Sequence, residues 1–252
     1  MHSAVELVWL HGALAITAAL YASVGQAGGT GYIAILGLAG FGPEVVKPAA
    51  LALNILVASI GSIHFFRAGL LTWRTCYPFA VLGAPFSWLG GAINLPAAIY
   101  QPVVGALLLL AAGQMIRSAR WAAEKDEVAP SQPPFVFALI AGAGVGLVSG
   151  LTGIGGGIYL APIIMSFNWI ETRQAAAVST VFNLLNSSAA LAGAWTTLED
   201  LPAPLPGWLL AVAIGGLAGA FLGAGRLPPA QLRYILASLL LVAGLRMLFG
   251  PG

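Results

Sequence analysis

Long apolar runs, separated by short polar or glycine-containing stretches, fill almost the whole chain. A helical membrane crossing needs about 20 residues, and the runs either approach that length or fall well short of it. They predict ten helical segments, at residues 7–24, 29–41, 48–66, 77–93, 99–116, 135–150, 155–169, 175–197, 205–224 and 231–249. This pattern is typical of an all-α polytopic membrane protein.

Two of the short interruptions are nearly copies of one another. Residues 25–32 read GQAGGTGY and residues 151–158 read LTGIGGGI, each with four glycines inside an apolar run. Because one glycine weakens a helix by about 1 kcal/mol relative to alanine, these stretches predict helices that stop within the hydrocarbon. The flanking segments form either a hairpin that dips in and returns or two thin crossings. Paired broken helices in a duplicated membrane protein indicate a substrate site, and hence a carrier.

The duplication extends over the rest of the chain. Residues 82–116 match residues 214–248 at a spacing of 132, whereas the glycine breaks match at 126, so a loop insertion falls at residues 198–204. A polar linker, residues 119–134, separates a first membrane repeat, residues 1–118, from a second, residues 135–252. We therefore expect two repeats of about five helical segments each, with the glycine-broken helices meeting near the membrane midplane.

The distribution of Lys and Arg predicts the orientation. With an odd number of crossings per half, one side collects eight of the ten: Arg67, Arg74, Arg117, Arg120, Lys125, Arg173, Arg226 and Arg233. Lys47 and Arg246 fall on the other side, whereas continuous crossings through the breaks would give a parallel repeat and a weaker bias. The positive-inside rule favours the odd number. This predicts inverted repeats, a cytoplasmic linker and both termini in the periplasm.

Composition narrows the function. Apolar residues make up 59% of the 252 and charged residues only 7%, with a net charge of +2 and no basic stripe for nucleic acid. The single cysteine, Cys76, has no metal-ligand spacing around it, and no nucleotide-binding loop is present. We predict no catalytic residue, no metal, no cofactor and no enzyme activity.

The glycine breaks predict an anion site. A helix that starts inside the membrane leaves up to four amide hydrogens unpaired and carries about half a positive charge there, and glycine lets a small oxyanion approach the backbone. Asn186 is a further possible donor, although a single buried asparagine or threonine equally fits an interhelical bond. The predicted substrate-binding residues are Gly25, Gln26, Gly28, Gly29, Thr30, Gly31, Asn54, His64, Arg67, Thr152, Gly153, Gly155, Gly156, Gly157 and Asn183.

Within that set, Arg67 has an equally good alternative role, and a hydrogen-bonded structural role fits His64 better than substrate binding or pH sensing. They lie one turn apart at the end of the third segment, where Arg67 could draw anions to a mouth or anchor the helix end at the interface. Other glycines recur every four residues, at 142, 146 and 150 and at 215, 219 and 223. That spacing predicts close helix packing rather than a site.

These residues resemble a known family. Gly153-Ile154-Gly155-Gly156-Gly157 followed by Ala161-Pro162, with a degenerate copy at 25–31 and a linker near the middle of about 250 residues, is similar to the TauE/SafE sulfite exporter family. The resemblance implies export of sulfite or small organosulfonates from the bacterial cytoplasm across the inner membrane, with the bilayer and a small anion as partners. It carries no signature of a particular oligomeric state.

The predicted segments lack a carboxylate in their middles, so the relay typical of proton-coupled pumps is missing. An anion leaving a negative-inside cell gains about 2.3 kcal/mol per charge per 100 mV. A carrier driven by voltage and the substrate gradient therefore suffices. An anion channel, an importer of the same anions and a noncatalytic assembly subunit are the alternatives.

Overall fold

The computed structural model describes residues 4–121, 131, 133–195, 201–222 and 229–250. Within them it is all-helical, with ten helices at the ten predicted places. They are α1 (Ala4–Ser23), α2 (Gly29–Leu38), α3 (Pro43–Arg67), α4 (Trp73–Ala92), α5 (Ala97–Trp121), α6 (Phe135–Thr152), α7 (Gly157–Ser166), α8 (Thr172–Gly193), α9 (Leu205–Leu222) and α10 (Pro229–Phe249). The predicted fold class, an all-α polytopic membrane protein, is confirmed.

Several helix ends differ from the prediction. Helix α3 begins at Pro43 rather than at residue 48, because Pro43 fits the first helical position, where no amide partner is needed. Pro48 lies inside that helix, and Pro78 and Pro85 lie inside α4. Helix α5 continues through Trp121, into the predicted linker at 119–134. Residues 122–130 and 132 of that linker and residues 198–200 of the predicted insertion lie outside the described residues.

Five helices among the described residues are long and apolar enough to cross a membrane. They are Pro43–Arg67, Ala97–Arg120, Phe135–Thr152, Arg173–Gly193 and Ala230–Phe249. The apolar stretches Gly29–Leu38 and Gly157–Ser166 are much shorter. At about 1.5 Å per residue, a ten-residue helix reaches only about half of the hydrocarbon thickness.

Helix α2 folds back along α1. The Tyr21 hydroxyl and Thr30 Oγ1 are 2.7 Å apart, and a Cβ on Gly31 would meet the Thr17 side chain. Residues 17 and 31 would lie about 20 Å apart if the helices were collinear. The first glycine break therefore closes a helical hairpin, so α1 and α2 do not form one continuous helix.

Glycines spaced four residues apart on α6 and α9 bring two pairs of helices, one with α4 and one with α1, close together. A Cβ on Gly142, Gly146 or Gly150 of α6 would meet the backbone of α4, and a Cβ on Gly215 or Gly219 of α9 would meet the backbone of α1. The packing role predicted from the four-residue spacing is confirmed at these positions, and Gly223 lies outside the described residues. In both pairs the residue numbers rise together, so the helices run parallel.

Two further pairs run antiparallel. Asn54 of α3 contacts Ser187 of α8, and Gly61, two turns later in α3, lies against Thr180. In α5 and α10, Ser118 accepts a hydrogen bond from Arg233, whereas Gly105 faces Gly244. Each of these pairs joins a helix of the first half to the helix at the corresponding place in the second half.

Candidate functional site

The first glycine break leaves the start of α2 without side-chain caps. Gly25 has φ +75° and Gly28, the N-cap of α2, has φ +96°, conformations that residues with a Cβ rarely adopt. No side chain caps the helix. Among the described residues, no hydrogen bond is formed by the amides of Gly29, Thr30 and Gly31, because the first turn of a helix has no internal acceptors for them.

The second break likewise has left-handed glycines and a helix start without a side-chain cap. Gly153 ends α6 with φ +84°, and Gly155 and Gly156 follow with φ +88° and +82°. Gly156 is the N-cap of α7 and again forms no side-chain cap. The amides of Gly157 and Ile158 have no partner among the described residues. Two short helices therefore begin with unpaired donors in the protein interior, where Gly29 and Gly157 are buried.

The two breaks touch. A Cβ on Gly29 would meet the carbonyl of Ile154, so the backbones of the two halves approach to van der Waals contact. Beside this contact lies a small cavity of about 10 Å³, room for about one water molecule. Its lining comprises Tyr21, Gly25, Gln26, Ala27, Gly28, Gly29, Thr30, Ile154, Gly157, Ile158, Ser179, Thr180 and Asn183.

The lining of the cavity includes polar side chains but no charged side chain. It contains no Asp, Glu, Lys, Arg or His. The Ser179 hydroxyl and Gln26 Oε1 are buried without a hydrogen-bond partner within the described part of the chain, and Ser179 is only 3% exposed. A buried polar group without a partner costs about 1–3 kcal/mol. Ser179 therefore supplies an unused donor to a cavity whose positive potential comes from helix termini.

A reciprocal amide pair holds α3 and α8 together beside the breaks. Asn54 Nδ2 donates to Asn183 Oδ1 at 2.9 Å and to Ser187 Oγ at 2.7 Å. Asn183 Nδ2 donates back to Asn54 Oδ1 at 3.3 Å. A Cβ on Gly155 would collide with both amides, so this glycine is required for the close approach. The interhelical-bond role considered for these asparagines is therefore present in the structure.

The cavity is asymmetric between the halves. On α8, the positions that face it or the amide pair are Ser179, Thr180, Asn183 and Ser187. Shifting them by 126, the spacing of the breaks, gives Leu53, Asn54, Val57 and Gly61 on α3. One half therefore presents four polar side chains where the other presents one.

The structure brings about half of the predicted site residues to the cavity. Those that line it are Gly25, Gln26, Gly28, Gly29, Thr30, Gly157 and Asn183. Close by but not in the lining are Gly31, Asn54, Thr152, Gly153, Gly155 and Gly156. His64 and Arg67 lie elsewhere: both are exposed at the end of α3, and the cavity does not include them.

Sequence reasoning missed Tyr21, Ser179 and Thr180. Tyr21 bonds Thr30, and the Thr180 hydroxyl donates to a backbone carbonyl at 2.9 Å, either that of Gly25 or that of Ala176. Ser179 lies one turn before Asn183 on α8, so a search of that helix face for further polar residues could have found it. No signal in the sequence singled out Tyr21 from the other tyrosines.

Lys47 provides a buried positive charge near the second break. It is 5% exposed, and its Nζ donates to the carbonyls of Gly91 at 2.9 Å and Ile93 at 2.8 Å at the end of α4. These are carbonyls that a helix end leaves unpaired. Its backbone and stem contact Gly153. Within the described residues, no group of three or more His, Cys, Asp or Glu side chains could hold a metal ion.

Comparison with known proteins gives the family. Residues 10–247 match the family model for the sulfite exporter TauE/SafE. The chain is 48% identical over 244 residues to the probable membrane transporter protein y4hK of Sinorhizobium fredii, covering 97% of this chain and 99% of that protein. No solved structure matches. The paired glycine breaks, the membrane-spanning helices and these matches together assign the chain to the TauE/SafE sulfite exporter family of membrane transporters.

Proposed function

We propose that this protein exports small sulfur oxyanions, sulfite or organosulfonates such as sulfoacetate, from the cytoplasm. The observation that supports this substrate class is the pair of helix starts, α2 and α7, that converge on one cavity with unpaired amides and no charged side chain. Each start contributes about half a positive charge. Together they stabilise the negative charge of a sulfite or sulfonate group, and the hydroxyl of Ser179 adds a donor.

Transport by alternating access fits the size of the cavity. Sulfite is larger than a water molecule, and the cavity has room for about one. The walls must therefore separate to admit the anion, which favours a carrier over an open channel. Residues of the α1–α2 hairpin and of α7 line the cavity, so we expect these helices to move relative to α3 and α8.

An inverted repeat is supported by the directions of the helices. Helices α3 and α8 occupy corresponding places in the two halves and run antiparallel, as do α5 and α10. A twofold axis can relate two antiparallel helices only if it lies perpendicular to them. For membrane-spanning helices that axis lies in the plane of the membrane. Repeats 1–118 and 135–252 would then have opposite orientations, as in other transporters with broken helices.

Flux measurements in proteoliposomes test this function. With sulfite or sulfoacetate inside, we expect efflux that generates a current, reverses sign when the clamped potential is reversed and is absent with a cation in place of the anion. The reason is that no carboxylate lies in the cavity to carry a compensating proton. Electroneutral flux that follows a proton gradient would overturn the voltage-driven mechanism, and flux of cations alone would overturn the substrate class.

The same flux assay tests whether Ser179 contributes to anion binding. Replacing Ser179 by alanine removes a donor that has no protein partner, so we expect apparent affinity for the anion to fall about tenfold while thermal stability does not fall. Ser188→Ala is the matched control, because that serine is exposed and bonds only within its own helix, to Leu184. Equal affinities of the two variants would show that the Ser179 hydroxyl does not contribute to substrate binding.

Cysteine labelling tests the orientation. Cys76 is the only cysteine and is buried, so a Cys76→Ala background permits single-cysteine variants. We expect Ser131→Cys, in the linker, to react with a membrane-impermeant thiol reagent only in inverted inner-membrane vesicles. Gly250→Cys should react only from the periplasmic side, because both termini are expected there. Reaction of both positions from one side would exclude an odd number of crossings per half.

A further inference from the structure

A second and larger cavity lies at the other end of α2. It encloses about 240 Å³, room for several water molecules. The turn between α2 and α3, the start of α5 and the end of α10 form its walls, and the lining includes Gly40, Gly42, Tyr100, Gln101, Arg246 and Met247. It is therefore separated from the central cavity by the length of α2, about 15 Å.

The chemistry of this cavity favours an anion. Arg246 is the only Lys, Arg or His among its lining residues. One of its guanidinium nitrogens, Nη1, donates to the Leu38 carbonyl at 2.6 Å, which leaves other N–H groups of the fork for a ligand. Gln101 adds an amide beside it. The nearest carboxylate is that of Glu44, which contacts Gly42 and lies in the first turn of α3, where it complements the helix dipole.

Contacts connect this cavity to both glycine breaks. Tyr100 lines it and donates its hydroxyl to the Thr152 carbonyl at 2.8 Å, at the edge of the second break. Arg246 holds the C-terminal end of α2, the helix whose N-terminal end opens the central cavity. Tyr100 and α2 therefore link the two cavities through direct contacts.

We infer that this cavity, the outer vestibule, is a second binding site for the transported anion, with Arg246 as its cationic ligand. The inference rests on the proposed anion transport. The vestibule lies on the side of the molecule that carries Lys47 and Arg246, the side predicted to face the periplasm. An anion released from the central cavity would bind here before it leaves the protein.

Cysteine chemistry in the vestibule tests the inference without measuring transport. Gln101 and Met247 line the cavity from helices α5 and α10, so we would use Gln101→Cys in the Cys76→Ala background, with Met247→Cys as a second position. We expect an anionic methanethiosulfonate reagent to react faster than a cationic one of similar size. Arg246→Gln should lower that ratio of rates about tenfold, and methanesulfonate should protect the cysteine unless Arg246 is replaced.

Control variants separate local charge from other effects. Glu44→Gln should raise the anion-to-cation ratio, because it removes the carboxylate nearest the cavity, whereas Arg74→Gln, an exposed arginine outside the cavity, should leave it unchanged. An unchanged ratio in Arg246→Gln, or absence of protection by methanesulfonate at both cysteine positions, would overturn the vestibule site. Protection by methanesulfonate in a protein that carries no anion in proteoliposomes would overturn the proposed function and leave this site standing.

Discussion

Gly29→Ala is expected to reduce anion transport about a hundredfold or more while the protein still inserts into the membrane. The added Cβ would collide with the Ile154 carbonyl and force apart the two breaks that form the central cavity. A displacement of about 1 Å in a positioned site can cost two orders of magnitude in rate. Efflux from proteoliposomes at matched protein density is the measurement, with membrane insertion checked by size-exclusion chromatography in detergent.

Gly144→Ala is the matched control for this variant. Gly144 is also a helical glycine, but a Cβ there meets nothing within 4 Å. Alanine favours a helix more than glycine does, so this variant should transport normally and be at least as stable as the wild type. Equal transport by the two variants would contradict the view that contact between the breaks positions the substrate amides.

The effects of replacing Asn54 and Asn183 on stability and transport should be strongly coupled. Asn54→Ala leaves the Asn183 amide without its partner, and Asn183→Ala does the same to Asn54. Because both side chains are buried, each variant should lower the free energy of unfolding by about 1–3 kcal/mol and reduce transport strongly. The double variant should cost less than the sum of the two, since no unpaired amide of the pair remains. Thermal unfolding and efflux, measured for the two single variants and the double variant, give the coupling between the two asparagines as a double-mutant cycle.

Ser59→Ala serves as the reference for that cycle. Ser59 is also on α3, but its hydroxyl donates to the Ile55 carbonyl of its own helix at 2.7 Å, so its replacement should change neither property by much. Additive effects of Asn54→Ala and Asn183→Ala would indicate that the two amides act independently. The pair would then not be the link that holds α3 and α8 together beside the breaks.

The order of the helices was predictable because apolar runs and glycine breaks are local signals. All ten helices lie at predicted places, and the short helices α2 and α7 begin within or directly after the predicted breaks. The starts of α3, α4 and α5 were less predictable. Proline was treated as a boundary in the sequence, yet Pro48 lies inside α3, where tertiary packing compensates for one missing backbone hydrogen bond.

The sequence predicted where the backbone of the site is interrupted, but not which side chains of other helices line it. Glycine clusters reveal where a helix must stop, but which side chains face the gap depends on how other helices pack against it. Ser179 reaches the cavity because α8 crosses the breaks, a long-range contact without a local signature. For the same reason the sequence made Arg67 a candidate from its charge alone, and the structure places it exposed at the end of α3 and outside the cavity lining.

The unequal polarity of α8 and α3 has a consequence for the resting protein. If the halves were identical, conformations open to the two membrane faces would be related by the twofold axis and would have the same free energy. With Ser179, Thr180 and Asn183 on one helix and Leu53, Asn54 and Val57 at the matching places on the other, whichever conformation hydrates α8 gains solvation that its counterpart cannot. The unloaded carrier should therefore rest facing one compartment.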